Sequence, residues 1–143
     1  MIKIELKGDS MTEEGLLMEV EVMPSIDVIQ RKKMNKSAIP IVRTKALIDT
    51  GAKTCAIDRT IIQKLGVKPH MVSSVKTPFH TVIDSEVYQL IFKIPGEREY
   101  FPITAVIADF SEDTCKALIG RDFLQYCTLV YDGKNKKGTL ETD

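Results

Sequence analysis

The chain has no tryptophan, only two histidines and three cysteines in 143 residues, and aromatic residues make up 6% of it. Each shortage removes a class of function. Cys55, Cys115 and Cys127 form no close C-x-x-C pair and lack any ligand-like pairing with His70 or His80, so neither a metal nor a cofactor is expected. An odd number of thiols, with no apolar leader at the N-terminus, predicts reduced, buried cysteines in a soluble cytoplasmic protein. Lys plus Arg equals Asp plus Glu at 20 each, and no net field draws in nucleic acid or an anionic membrane. No apolar run approaches the length of a bilayer span, so no membrane partner is expected.

What is present is alternation of apolar and polar residues, the pattern of half-buried strands. Segments 2–6, 15–23, 41–48, 54–57 and 100–108 read this way, which predicts an all-β domain over residues 1–143. Pro24 and Ser25 introduce a helical insertion at 24–39, whose Arg31, Lys32, Lys33 and Lys36 read as a solvated face. Asp58 caps a helix over 59–65, and Gly66 stops it. A long hairpin is expected at 71–94, turning near Pro78, Phe79, His80 and Thr81. One or two helical turns at 121–125 precede a last hairpin over 127–141.

The stretch with chemistry in it is 46–52, Ala-Leu-Ile-Asp-Thr-Gly-Ala. An apolar strand ends at Asp49, and Gly51 permits the tight turn that follows. Period-two geometry places Leu47 beside Asp49, with Ala46 and Ile48 on the other face. An Asp ahead of Thr-Gly also suits a turn residue whose side chain bonds the backbone two positions on. Ala117, Leu118 and Ile119 repeat the Ala-Leu-Ile, so Leu47 and Leu118 are candidates either for apolar pocket walls or for plain core.

Together, Ala46–Ala52 and the later Ala-Leu-Ile-Gly-Arg-Asp-Phe-Leu at 117–124 resemble the retropepsin-like aspartic proteases. The resemblance runs from about Val42 to the C-terminus. It implies a closed-barrel acid protease fold with one or two short helices, acting as a homodimer on a peptide or protein substrate. It also implies Asp49 as the catalytic residue, with Thr50, Gly51 and Ala52 supporting the active-site loop. Thr77, Pro78, Phe79, His80 and Val82 would lie at the flap that closes over bound peptide. Gly120 and Arg121 are the structural pair of the second motif. In the family, that arginine commonly pairs with an acidic residue four positions after the catalytic Asp; here the position is Lys53. Arg121 is therefore left with Asp122, Asp58 or a second subunit as candidate partners. The competing reading is a catalytically silent dimeric module that keeps the fold and binds peptides or proteins. A third is an unrelated β-barrel in which Asp49 merely caps a turn.

Overall fold

Alternation in this sequence is written out as strands that bury one face. The computed structural model describes residues 2–7, 15–76, 82–110 and 115–142. Among them the strands are β1 (Ile2–Lys7), β2 (Leu17–Pro24), β3 (Val42–Ile48), β4 (Cys55–Asp58), β5 (Met71–Lys76), β6 (Val82–Lys93), β7 (Tyr100–Ala108), β8 (Ala117–Ile119), β9 (Cys127–Asp132) and β10 (Lys137–Thr142). The helices are short: α1 (Ile26–Arg31), α2 (Arg59–Leu65) and α3 (Arg121–Leu124), with a 3-10 turn at Lys36–Ala38.

β2 pairs antiparallel with β3, and β3 runs parallel to β8. From β8 the sheet continues through β4, β7 and β6, and β6 returns to pair with β2. That last pairing closes a six-stranded barrel, an all-β architecture of the kind expected. Met18, Val20 and Val22 of β2, Ala46 and Ile48 of β3, and Ala117 and Ile119 of β8 fill its interior. β5 continues the sheet beyond β6 as the first arm of a hairpin. A second, three-stranded sheet, in the order β1-β10-β9, packs through the fully buried Leu140 against the same core.

The helices follow their caps. The Ser25 hydroxyl accepts the Val28 N–H at 3.3 Å and starts α1. The helix ends at Arg31, well inside the expected helical insertion at 24–39, since Lys33 takes a left-handed φ of 49° that breaks the ladder. α2 turns Ile61, Ile62 and Leu65 inward and stops at Gly66, whose φ is 66°.

Asp58 does more than cap α2. It is buried, and its carboxylate accepts the Thr60 N–H at 2.9 Å, the Thr60 hydroxyl, and the Phe110 N–H at 2.8 Å. Burial on its own would raise this carboxyl. The bonds from Thr60 and Phe110, with the Lys116 charge, outweigh it and hold the group below the ordinary carboxylate value. A depressed native value adds stability above the unfolded pKa of about 3.9, and that stability is lost as pH falls through the native value. Asp58→Ala is expected to cost about 1–3 kcal/mol at pH 7, and the gap to wild type should narrow below about pH 4. Urea midpoints at neutral and acid pH measure both.

Candidate active site

Two strands with the same three residues meet at the site. Ala46, Leu47 and Ile48 of β3 lie in register beside Ala117, Leu118 and Ile119 of β8. Alanine and isoleucine of each strand point into the core, and the leucines point the other way, each half-buried. Leu47 and Leu118 are thus neighbours on the face that carries Asp49. Leu47 has a second contact, because its Cδ1 packs over the Gly15 backbone.

The parallel ladder runs one residue further, with the Asp49 N–H donating to the Ile119 carbonyl at 3.0 Å. A turn then reverses the chain: the Ala52 N–H returns to the Asp49 carbonyl at 3.2 Å, leaving Thr50 and Gly51 exposed between them. The Gly51 N–H donates to Asp49 Oδ1 at 2.8 Å, the turn bond that the sequence pattern allows. Asp49 Oδ2 has no hydrogen-bond partner among the described residues. One oxygen is therefore fixed by the backbone while the other is available for chemistry.

The first turn of α3 grips this loop from behind. The Arg121 N–H donates to the Ala52 carbonyl at 2.8 Å and the Asp122 N–H to the Lys53 carbonyl at 3.0 Å. Arg121 Nη1 donates to the Thr50 carbonyl at 3.0 Å. A backbone oxygen of the Asp49 turn, and neither Asp58 nor Asp122, is thus the partner of Arg121 among the described residues. Gly120 makes the approach possible, since a Cβ there would lie 2.5 Å from the Thr54 carbonyl oxygen.

Asp122 was not singled out as a site residue, yet it is the side chain that ties α3 to β4. Its Oδ1 accepts the Cys55 thiol at 3.2 Å and the Phe123 N–H at 2.8 Å, and its Oδ2 accepts the Cys55 N–H at 3.3 Å. The one hint in the sequence was its place directly after Gly120-Arg121. Cys55 is 1% exposed, and burial, with the Asp122 charge adding to it, pushes its thiol up to about 12. It stays protonated and serves as a donor to Asp122, and a protonated thiol is a poor nucleophile. Burial raises Cys127 as well.

The remaining predicted residues are placed less fully. Val82 opens β6, paired with Lys76 across the hairpin. Thr77, Pro78, Phe79 and His80 lie outside the described residues. Among the described residues no group of three or more His, Cys, Asp or Glu is arranged to hold a metal ion. No described helix is long and apolar enough to cross a membrane.

Neither a family profile nor a curated protein matches this chain. Solved structures do. A retropepsin-like aspartic protease from Rickettsia conorii superposes with a TM-score of 0.61 at 17% identity, over 99% of this chain and 91% of that one. An aspartic proteinase from Irpex lacteus superposes with a TM-score of 0.54 at 16% identity, over 99% of this chain and 47% of that one. At such identities it is the closed-barrel architecture alone that is shared. The chain has the retropepsin-like fold.

Proposed function

We propose that the chain is an aspartic endopeptidase, active as a homodimer in which each protomer supplies Asp49. The observation that carries this reading is the half-satisfied carboxylate: Oδ1 is held by Gly51 while Oδ2 has no hydrogen-bond partner among the described residues, at the end of two in-register apolar strands. A turn-capping Asp has no need of so rigid a setting. Peptide hydrolysis by carboxylates needs two of them close together, one ionised and one protonated, because neighbouring like charges do not both ionise. The ionised member takes a proton from water as the water attacks the scissile carbonyl carbon; the protonated member gives its proton to the carbonyl oxygen. The carboxyl that took water's proton then gives it to the leaving amine as the C–N bond breaks, while the other, now ionised, takes the proton from a hydroxyl of the tetrahedral intermediate, which restores the pair.

One Asp-Thr-Gly per chain leaves the dyad incomplete, and a two-fold axis is the economical way to complete it. Two features favour such pairing. A single copy matches only 47% of the Irpex lacteus proteinase chain, which leaves room in that architecture for a second. The free edge of β9 presents Val130 and Tyr131 at 52% and 55% exposure, whereas β1 at the other edge exposes Lys3 and Glu5. Charged residues guard an edge against pairing, and β9 lacks that guard at its centre. In this reading Thr50, Gly51 and Ala52 meet their counterparts at the axis, and Leu47 and Leu118 wall the substrate cleft. The hairpin 71–94 covers bound peptide by adding an extended strand.

Two measurements test this. Light scattering over a dilution series is expected to give a dimer, with Val130→Lys weakening it at least about tenfold. Peptide-library cleavage that a pepstatin-like transition-state mimic blocks is expected of the dimer alone. A monomer at every concentration, with substrate present, overturns the dyad.

A further inference from the structure

Between α3, β4 and β7 lies a groove of 490 Å³ whose lining includes neither Asp49 nor Leu47 nor Leu118. Its floor is Cys55 and Asp122; its walls are Phe101, Phe123, Tyr126 and Cys127. Phe101 and Phe123 meet edge to face, ring centres 5.3 Å apart, and Tyr126 stands 72% exposed at the mouth. Pro102, Ile103 and Thr104 continue as the wall of a second cavity of 290 Å³ that reaches Ser25 and Ile26 of α1.

We propose that this groove is a binding site for a small organic cation with an aromatic body, such as an arylalkylammonium. Its volume falls within the range of small-molecule sites, and its lining is apolar with one charged group placed at the floor. That charge is the argument for a cation. A carboxylate offers about four acceptor positions, and Asp122 uses three, on Cys55 N, Cys55 Sγ and Phe123 N. The open position is on Oδ2, which holds only the Cys55 N–H at 3.3 Å. Among the described residues no Lys, Arg or His forms an ion pair with Asp122, since the neighbouring Arg121 is spent on the Thr50 carbonyl. Aromatic side chains around an unpaired carboxylate reward a cation twice, through its charge and through the ring faces.

Occupancy of this groove does not depend on whether Asp49 is catalytic. It would nonetheless be felt at the loop, because Asp122 reaches Cys55 through its carboxylate and Lys53 through its own N–H. A cation on the open position of Oδ2 shares that oxygen with the Cys55 N–H, so the groove connects a ligand to the segment that follows Asp49.

The test is an NMR titration of the whole chain with 2-phenylethylamine, the smallest probe that carries both features, against 2-phenylethanol, which has the same body and no charge. The amine is expected to shift the amides of Lys53, Cys55, Phe123 and Cys127 saturably, and to bind at least about tenfold tighter than the alcohol. Asp122→Asn is expected to abolish that preference. Tyr126→Ala, at an exposed position where folding is not at stake, is expected to weaken the amine several-fold. Equal binding of amine and alcohol, shifts that map elsewhere, or no saturation by either overturns the proposal. If Asp122→Asn fails to fold, the ratio of amine to alcohol on wild type, together with Tyr126→Ala, still decides it.

Discussion

Asp49→Asn is expected to leave a folded dimer and to lower peptide hydrolysis by at least about 10³-fold. The substitution changes one atom in the side chain, and Asn keeps the carbonyl oxygen that the Gly51 N–H needs at 2.8 Å. The turn, with its bond from Ala52 N–H to the residue 49 carbonyl, has no reason to open. What disappears is the ability to hold a negative charge beside a proton, and with it both the base and the acid of the proposed dyad. Light scattering and circular dichroism check that the dimer and the fold persist; cleavage of a substrate found with wild type checks the chemistry. The same variant separates the competing readings. A binding module keeps its peptide affinity and never had a rate to lose, whereas an enzyme loses its rate and can retain the affinity. Activity within about tenfold of wild type would remove Asp49 from the mechanism altogether.

Much of this arrangement could be read before any coordinates. Strands β2 and β3 alternate because one face of the barrel wall is buried, so Met18, Val20 and Val22, and then Ala46 and Ile48, announced themselves by period. The α2 boundaries were equally plain, as Asp58 and Gly66 act within one turn of chain. What sequence could suggest and not establish was the partnership of the two Ala-Leu-Ile segments. Their repetition was visible, but parallel, in-register pairing is a relation between residues some seventy positions apart, fixed by the closure of the whole barrel. The Asp122–Cys55 contact, across a separation of 67, was hidden for the same reason. Cysteine of this kind reads as a small hydrophobe until its neighbour is known. Arg121 was misleading in another way, since the partners expected within the chain were the carboxylates of Asp58 and Asp122, and the acceptor among the described residues is the Thr50 carbonyl, which carries no signature in sequence. The shortened α1 is a failure of local reading, where a run of good helix formers was overruled by the left-handed Lys33.

Gly120→Ala is the substitution expected to disturb both the fold and the site through a single methyl group. The new Cβ would lie 2.5 Å from the Thr54 carbonyl oxygen, 2.6 Å from its carbon and 3.0 Å from the Ala52 carbonyl oxygen. All three are backbone atoms, so no rotamer change relieves the clash, and α3 must withdraw from the loop. Withdrawal stretches the bonds from Arg121 N–H to Ala52 and from Asp122 N–H to Lys53, now 2.8 and 3.0 Å, and pulls the Asp122 carboxylate away from Cys55. Overpacking of this kind costs about 1–3 kcal/mol, and the weakened hydrogen bonds, stretched and not broken, about 1 kcal/mol more together, for a total of about 2–4 kcal/mol. In a chain of this size that lowers Tm by roughly 8–15 °C. The control is Gly133→Ala, whose Cβ would meet only the Tyr131 ring edge at 3.3 Å; it is expected to stay within about 0.5 kcal/mol of wild type. Peptide hydrolysis measured well below the lowered Tm separates two roles for the glycine. Loss of activity in protein that is still fully folded would place Gly120 in the positioning of Asp49. Unchanged activity would confine it to stability, and an unchanged Tm would mean that α3 does not lock the Asp49 turn.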